Sequence, residues 1–312
     1  MTTEHMKPGQ KLVDLLRSRG MRFIEVHSGL STLIACRARS LRTGRGFDGL
    51  WVSSLTCSAS VGVPDLEMIG IDRRLDTIQQ IAAMADLPIL VDGDTGGSLS
   101  SLRYLCTTLR RAGVGGVVFE EKTGEKRNSL DAPDQKLAPP EEFAARIRAA
   151  VDMVSADELM VFARLEGYNA SLATREIVER AALYVEAGAS GIFIHSKSKQ
   201  SDQVLDFART FRALGYKVPI ICVPTTFYAT TASQLFEGGL SGVIYANQQL
   251  RAAAAAMTET CGAILENDGV FELENTIMPT KQIFDLVGYT LEISRVEKLA
   301  RGADGLAPSL NS

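Results

Sequence analysis

Residues 88–120 read PILVDGDTGGSLSSLRYLCTTLRRAGVGGVVFE and contain the pattern of one complete strand, helix and strand. The apolar run Pro88–Asp92 predicts a buried strand, and Leu99–Ala112 has the apolar spacing of a helix. Gly113 follows that helix and fits the left-handed residue at which many helices end. A second apolar run, Gly116–Glu120, predicts the next strand. Two strands joined by a helix are typical of a parallel sheet.

The same alternation recurs along the whole chain. Eight segments have the character of short strands: Arg22–Val26, Gly49–Ser53, Pro88–Asp92, Gly116–Glu120, Met160–Arg164, Gly191–His195, Pro219–Val223 and Gly242–Asn247. Helical stretches separate them, among them Glu141–Val154, Ser171–Ala187 and Asp202–Leu214. Eight strand and helix units favour an α/β fold, a parallel (β/α)8 barrel of the TIM type, with an open doubly wound sheet as the alternative. We expect one barrel domain across residues 1–312.

Three segments are additional to the eight strand and helix units of a minimal barrel. Residues 1–20 are expected to form an N-terminal helical extension. Residues 121–140 are rich in Gly, Pro and charge and too long for a plain connection, which indicates either a functional loop or a disordered insertion. Residues 248–312 are expected to form a helical tail, with helices at Gln249–Leu265 and Thr280–Val287. Small side chains in the first of these helices permit close approach, so we expect the tail to contact another subunit.

Composition excludes several classes of protein. The chain has 312 residues, with 33 Lys plus Arg against 37 Asp plus Glu and a formal net charge of -4. Basic residues are spread along it, so nothing indicates a nucleic-acid partner. No apolar run approaches the roughly 18 residues of a membrane span, and the polar start does not resemble a signal peptide, so we expect a cytoplasmic protein. Five scattered cysteines disfavour a disulfide framework or a zinc site.

Carboxylates stand at the ends of two predicted strands. Asp92 and Asp94 are two residues apart and point to one side if the chain is still extended, and Glu120 ends the neighbouring strand. Catalytic residues of such barrels lie at the carboxyl ends of the strands. Three converging carboxylates repel one another unless a cation is present, and Mg²⁺ prefers oxygen ligands. We favour a Mg²⁺ site over the alternative that Asp92-Gly93-Asp94 is an ordinary turn.

Cationic side chains are expected opposite these carboxylates. Arg164 and His195 end the fifth and sixth predicted strands, and Lys126 comes from the long loop. Each alone could form an ordinary ion pair. Arg offers a planar fork suited to phosphate or carboxylate, and His can donate to an anionic oxygen. Together with a cation, they predict a pocket for a small dianion that carries both carboxylate and phosphoryl groups.

Many short blocks, taken in order, carry a family resemblance. From about residue 25 to residue 251, the sequence resembles the phosphoenolpyruvate mutase branch of the isocitrate lyase superfamily. The matching blocks are Gly29-Leu30-Ser31, Trp51-Val52-Ser53-Ser54-Leu55, Gly62-Val63-Pro64-Asp65, Val91-Asp92-Gly93-Asp94-Thr95-Gly96, Glu120-Glu121-Lys122, Lys126-Arg127-Asn128-Ser129, Ala163-Arg164-Leu165-Glu166, Ile194-His195-Ser196-Lys197, Val223-Pro224-Thr225 and Ala246-Asn247.

The resemblance implies an architecture and an activity. It implies a Mg²⁺-dependent barrel whose C-terminal helices are exchanged between subunits of a homo-oligomer, a dimer or a dimer of dimers. The implied reaction interconverts phosphoenolpyruvate and 3-phosphonopyruvate, a small-molecule substrate pair of phosphonate biosynthesis. Residues 121–140 would be a gating loop that excludes water during transfer.

The resemblance also implies a role for each site residue. Asp92 would bind Mg²⁺ most directly, with Asp94 and Glu120 acting through its waters. The pyruvyl end would be held by the Trp51 ring and by backbone N–H groups of Ser54 and Leu55. The phosphoryl group would be held by Ser53, Arg164 and His195, steadied by Asn128 beside Ser129, with Lys126 closing the loop and Asp65 ordering its surroundings.

The loop motif separates the branches of the superfamily. Carbon–carbon lyases carry a catalytic Cys in this loop, whereas residues 123–126 have none, so lyase activity is disfavoured. Lys126-Arg127-Asn128-Ser129 matches the mutase pattern, and related phosphonopyruvate hydrolases tend to have Thr in place of Asn128. Phosphonopyruvate hydrolysis, or another bond cleavage of a 2-oxo acid, is the second hypothesis, and a non-catalytic barrel subunit is the third.

Two departures from the family pattern could alter substrate choice or loop closure. Gly97-Ser98 replaces an aromatic residue and a glycine. Glu121 replaces an aspartate and is one methylene longer.

Overall fold

The computed structural model describes residues 6–124, 126–129 and 135–304. Eight parallel strands form a closed barrel in sequence order, and β1 pairs with β8. Because the sheet closes on itself, the (β/α)8 barrel is confirmed and the open doubly wound sheet is wrong. Each predicted strand overlaps an observed one. The strands are β1 Met21–Glu25, β2 Gly49–Val52, β3 Ile89–Asp92, β4 Gly116–Glu120, β5 Met160–Leu165, β6 Gly191–Ile194, β7 Ile220–Cys222 and β8 Gly242–Tyr245.

Helices precede, separate and follow the strands along the chain. They are α1 Pro8–Ser18, α2 Gly29–Arg37, α3 Ser54–Ser60, α4 Ile71–Met84, α5 Leu99–Arg111, α6 Pro140–Val151, α7 Thr174–Glu186, α8 Asp202–Ala213, α9 Ala232–Glu237, α10 Gln248–Asn267, α11 Thr280–Val287 and α12 Tyr289–Asp304. Short 3₁₀ turns occur at Gly167–Ala170 and Leu273–Asn275. Within the described ranges, every helix is too short or too polar for a membrane span.

The chain divides into two compact units, Met1–Arg251 and Ala252–Ser312. The first unit contains the barrel, and the second contains α11 and α12. The predicted extension 1–20, loop 121–140 and tail 248–312 include residues outside the described ranges, namely 1–5, 125, 130–134 and 305–312. Their assignment as functional subdivisions stays a prediction.

A single apolar cluster fills the inside of the barrel. Side chains from alternate strand positions meet there, including the fully buried rings of Phe23 and Phe162, because successive strand residues face opposite sides. Leu12 and Leu16 of α1 belong to the same cluster. Since Leu12 lies beside Gly116, the first residue of β4, α1 covers the amino-terminal edge of the barrel. The carboxyl edge is therefore where a ligand can enter.

Packing inside the barrel leaves no room for a side chain at Gly191, the first residue of β6. A Cβ there would lie 2.3 Å from Cε1 of Phe162. We expect Gly191→Ala to lower the free energy of unfolding by about 1–3 kcal/mol through overpacking, measured by urea denaturation. Gly29→Ala at the start of α2 is the control, because a Cβ there meets only Cγ of Met84, at an ordinary contact distance of 3.6 Å; it should change stability by less than about 1 kcal/mol. A Gly191→Ala protein as stable as wild type would contradict this packing.

Candidate active site

A small cavity opens at the carboxyl ends of the strands, and every site residue named from the sequence lines it. Those residues are Trp51, Ser53, Ser54, Leu55, Asp65, Asp92, Asp94, Glu120, Lys126, Asn128, Ser129, Arg164 and His195. The remaining lining residues are Lys122, Arg127, Phe193, Val223, Thr225, Ala246 and Asn247. The predicted convergence of these residues is thus observed, while their chemical roles stay predictions.

Asp92 and Asp94 reach the cavity through a tight turn after β3. A Cβ on Gly93 would lie 2.6 Å from Cε1 of Phe119, so only glycine fits between them. Asp94 has a left-handed φ of 52°, which Asp tolerates better than most residues, and its N–H donates to Oδ1 of Asp92 at 3.1 Å. The hydroxyl of Ser54 donates to Oδ2 of Asp92 at 3.1 Å. The turn therefore fixes both carboxylates.

Two cations bind the Asp94 carboxylate. Nη1 of Arg74, on α4, lies 2.5 Å from Oδ2, and Nζ of Lys126 lies 2.5 Å from Oδ1. Arg74 also donates to the carbonyl oxygen of Asp92. Burial alone would raise the pKa of Asp94, but Arg74 and Lys126 keep it below its usual value. Sequence reasoning missed Arg74, because nothing in the helix pattern marks it as facing Asp94.

Glu120 is the least compensated carboxylate of the cavity. Its Oε2 lies 3.5 Å from Nη1 of Arg164. Nζ of Lys122 lies 3.2 Å from Oε1, but its geometry does not make a hydrogen bond, so Oε1 is buried without a donor. Burial raises the pKa of Glu120 to about 7 despite both cations. An additional positive charge at Oε1 would favour the ionised form.

The cavity has the chemistry of a hard-cation site without a complete ligand cage. Among residues 6–124, 126–129 and 135–304, no group of three or more His, Cys, Asp or Glu side chains is arranged to hold a metal ion. Two of the three predicted carboxylates nevertheless suit Mg²⁺, because Asp92 and Glu120 present oxygen ligands and Glu120 Oε1 lacks a donor. Mg²⁺ commonly needs only one or two carboxylates and keeps several waters.

Glu166 organises the opposite, basic wall. Its fully buried carboxylate accepts from Nε of Arg164 at 2.6 Å and lies 3.0 Å from Nδ1 of His195. A carboxylate can only accept, so a hydrogen bond in this pair requires the proton on His195 Nδ1. Nδ2 of Asn169 lies 3.1 Å from the same ring nitrogen. Burial alone would raise the pKa of Glu166, but Arg164 and His195 keep it well below its usual range. The sequence analysis included Glu166 in a family block without giving it a role.

The two walls meet because β4 and β5 are neighbours. Glu120 and Arg164 are partners in the strand register. Nη1 of Arg164 lies 3.7 Å from Oδ2 of Asp92, and its guanidinium carbon lies 5.1 Å from the centre of the Phe193 ring. One arginine therefore borders both the acidic side and the basic side of the cavity.

The described part of the loop covers the cavity through polar contacts. Nζ of Lys126 donates to Ser54 at 2.8 Å and to Oδ1 of Asp65 at 2.6 Å, and its side chain is 4% exposed. Asn128 Nδ2 donates to Oδ2 of Asp65 at 3.1 Å. Ser129 Oγ donates to Oε1 of Glu166 at 2.9 Å. Residues 126–129 are thus bound to both walls.

Polar atoms without partners concentrate here. Four buried side-chain polar atoms lack a hydrogen bond among the described residues, and three of them belong to residues that line this cavity: Trp51 Nε1, Glu120 Oε1 and Asn247 Oδ1. Leaving such groups unpaired costs free energy, about 1–3 kcal/mol each. A bound polar ligand would satisfy them, which makes this cavity the strongest candidate for the functional site.

Comparison with known proteins identifies the family of this chain. A sequence profile described as Phosphoenolpyruvate phosphomutase matches residues 12–265. The chain belongs to the phosphoenolpyruvate phosphomutase family. The family's enzyme from Streptomyces hygroscopicus is 34% identical over 284 residues, which cover 90% of this chain and 88% of that protein. The resemblance read from the sequence is confirmed, and the chain is an enzyme of the phosphoenolpyruvate mutase type.

Solved structures of the family share its architecture. Phosphoenolpyruvate phosphomutase from Streptomyces platensis subsp. rosaceus superposes with a TM-score of 0.86 at 33% identity, over 93% of this chain and 98% of that one. Phosphonopyruvate hydrolase in complex with oxalate and Mg²⁺ superposes with a TM-score of 0.83 at 30% identity, over 93% and 98%. Both kinds of enzyme are therefore similar to this chain.

The ion pair between Arg74 and Asp94 can be tested by mutation. Arg74→Met leaves the Asp94 carboxylate with Lys126 alone, so we expect the free energy of unfolding to fall by about 3 kcal/mol, measured by urea denaturation. The exposed neighbour Arg73 supplies the control, because Arg73→Met should change stability by less than about 0.5 kcal/mol. Equal stability of the two variants would show that the Arg74 pair contributes nothing.

Proposed function

We propose that the chain is a Mg²⁺-dependent phosphoenolpyruvate mutase that interconverts phosphoenolpyruvate and 3-phosphonopyruvate. The observation that carries the proposal is the single cavity in which Asp92 and Glu120 face Arg164 and His195, with Asn128 lining it from the loop. This arrangement suits a small substrate whose carboxylate end binds beside a metal ion and whose phosphoryl end binds cationic side chains. No cysteine lies among the described lining residues, as expected for an enzyme that does not cleave carbon–carbon bonds through a thiol.

The acidic wall is proposed to hold the metal and the pyruvyl end of the substrate. Asp92 would bind Mg²⁺ most directly, with Asp94 and Glu120 acting through its waters. When bound, the ion would offset the negative charge of the pyruvyl carboxylate and enolate oxygen. Backbone N–H groups of Ser54 and Leu55 would donate to the pyruvyl oxygens.

The basic wall is proposed to hold the phosphoryl group. Phosphoryl transfer through a loose transition state needs positioning and charge stabilisation rather than a strong base. Arg164 is oriented for this by the Glu166 carboxylate, which occupies its Nε and leaves its Nη1 beside the cavity. His195 and Ser53 would donate to other phosphoryl oxygens, and Asn128 would accompany the group as it passes between the oxygen and C3.

Exclusion of water determines whether the product is an isomer or free phosphate. A phosphoryl group exposed to solvent is hydrolysed, and closure of a loop prevents that. Lys126 binds Asp65 and Asp94, which fastens residues 126–129 across the cavity. This loop arrangement favours the mutase over the hydrolase, as does Asn128. The similarity to phosphonopyruvate hydrolase keeps hydrolysis as the second candidate.

Phosphorus NMR distinguishes the candidates. With phosphonopyruvate and Mg²⁺, we expect the phosphonate signal to be replaced by that of phosphoenolpyruvate, and removal of Mg²⁺ by a chelator should stop the reaction. Asn128→Ala should reduce isomerisation by about 100-fold or more, because the group that accompanies the phosphoryl is lost. Arg73→Met is the control and should behave as wild type. Accumulation of pyruvate and free phosphate would identify a hydrolase, and an Asn128→Ala enzyme with full isomerisation would contradict the role of Asn128.

We also propose that the C-terminal helices contact a second copy of the chain. Exposed apolar residues are numerous in the unit Ala252–Ser312, with Phe271 85% and Leu265 84% exposed. Large exposed apolar surface is unusual in a monomer and typical of an interface.

Light scattering coupled to size-exclusion chromatography measures the assembly. We expect the mass of a dimer or tetramer, and Phe271→Ser combined with Leu265→Ser should shift the population toward the monomer because apolar contact area is lost. A monomeric wild-type protein at micromolar concentration would contradict the proposal.

A further inference from the structure

Glu121 lies directly after β4, on the side of the barrel away from the cavity. Its side chain is fully buried, and it does not line the cavity that its neighbour Glu120 lines. Successive residues of an extended chain point to opposite sides, so Glu121 points outward to α7. The carboxylate therefore lies between a strand end and the surrounding helices.

Three donors bind this carboxylate. The Tyr184 hydroxyl donates to Oε2 at 2.5 Å, and Nη1 of Arg180 donates to the same oxygen at 3.0 Å. The backbone N–H of Glu166 donates to Oε1 at 3.0 Å. Arg180 and Tyr184 are one turn apart on α7, and Arg180 Nη1 also donates to the Tyr184 hydroxyl at 3.2 Å. A buried carboxylate with this many donors has a fixed position.

One of these bonds leads to the basic wall of the active site. The backbone N–H of Glu166 is held by the Glu121 carboxylate. The carboxylate of Glu166 in turn binds Arg164 and His195. The backbone N–H of Glu121 also donates to the carbonyl oxygen of Arg164 at 3.2 Å. A shift of Glu121 would therefore move the two side chains proposed to bind the phosphoryl group.

Other bonds lead to the two ends of the loop. The N–H of Ala138 donates to the carbonyl oxygen of Glu121 at 2.8 Å, and Nη1 of Arg180 donates to the carbonyl oxygen of Ala138 at 3.2 Å. The N–H of Thr123 donates to the carbonyl oxygen of Lys136 at 3.0 Å. These bonds hold the two ends of the loop, residues 121–123 and 136–138, next to each other beside α7.

The length of the side chain is what permits this arrangement. An aspartate at this position would draw the carboxylate back by one C–C bond, about 1.5 Å. From there it could not remain within hydrogen-bond distance of α7 and of the Glu166 N–H without a backbone shift. The longer side chain of Glu121 is thus the one that reaches the two donors on α7, Arg180 and Tyr184.

We infer that Glu121 is a positioning residue which, bound by Arg180 and Tyr184, sets the Arg164–His195 pair and the loop ends so that the phosphoryl group stays within the substrate. The inference rests on the proposed mutase function. Loss of the phosphoryl group to water breaks the bond between phosphorus and C3 and forms a bond from phosphorus to the water oxygen. The proton released by water ends on C3, which gives pyruvate and phosphate.

The test compares Glu121→Asp and Tyr184→Phe with wild type. Tyr184→Phe removes one donor with little change in volume and is the variant expected to fold. Glu179→Asp, on the exposed face of α7, makes the same chemical change as Glu121→Asp and is the matched control. Phosphorus NMR gives the ratio of phosphate to phosphoenolpyruvate formed from phosphonopyruvate. The rate of tryptic cleavage after Lys126 and Arg127, without substrate, reports on the loop.

We expect Glu121→Asp to lower kcat by about 10- to 100-fold, as small misplacements of binding groups do. Its phosphate fraction should rise, and tryptic cleavage of the folded protein should be at least about threefold faster because loop opening becomes easier. Tyr184→Phe should change both quantities in the same direction by a smaller factor, and Glu179→Asp should match wild type.

A lower unfolding midpoint in Glu121→Asp and Tyr184→Phe, with wild-type product ratio and cleavage rate, would overturn the inference and leave Glu121 a purely structural residue. A wild-type enzyme that forms only pyruvate and phosphate would contradict the proposed mutase function. The cleavage rates would still decide whether Glu121 positions the loop, so the two failures are distinguishable.

Discussion

Compensation of buried charge is the constraint on which the active site depends. The carboxyl edge of the barrel buries the carboxylates of Asp92, Asp94, Glu120 and Glu166. A buried carboxylate without a partner is strongly destabilising, so each must meet a cation or enough donors. Arginine and lysine side chains from helices, strands and the loop meet that need. The positions of those cations then determine which surfaces remain available to a ligand.

The result is a cavity with its charges in place before a substrate arrives. Neighbouring strands β4 and β5 put Glu120 beside Arg164, and Glu166 turns Arg164 so that its Nη1 borders the cavity. Groups oriented in advance stabilise developing charge without reorganisation. The unpaired polar atoms of Trp51 and Asn247 show where the protein alone does not complete the network. An acceptor at Trp51 Nε1 and a donor or cation at Asn247 Oδ1 would complete it.

The sequence predicted the barrel and the convergence of the site residues, because both follow from local patterns. It was wrong to expect Lys126 opposite the carboxylates, since Lys126 binds Asp65 and Asp94 on the acidic side. Strand periodicity located the β ends, and polar residues directly after them converge wherever parallel strands close into a barrel. The contribution of Arg74 could not be predicted, because Arg73 and Arg74 are adjacent in a helix and only packing decides which one faces Asp94. Three converging carboxylates therefore did not by themselves require a metal ion. Arg74 and Lys126 already bind the Asp94 carboxylate and balance its charge.

The most direct test is a crystal structure of the Asn128→Ala variant with Mg²⁺ and phosphonopyruvate. We expect the metal beside Asp92 and Glu120, with the phosphonate oxygens within hydrogen-bond distance of Arg164 and His195. A phosphonate group bound beside Asp92 and Glu120 instead, or a metal outside this cavity, would contradict the proposed roles of the two walls.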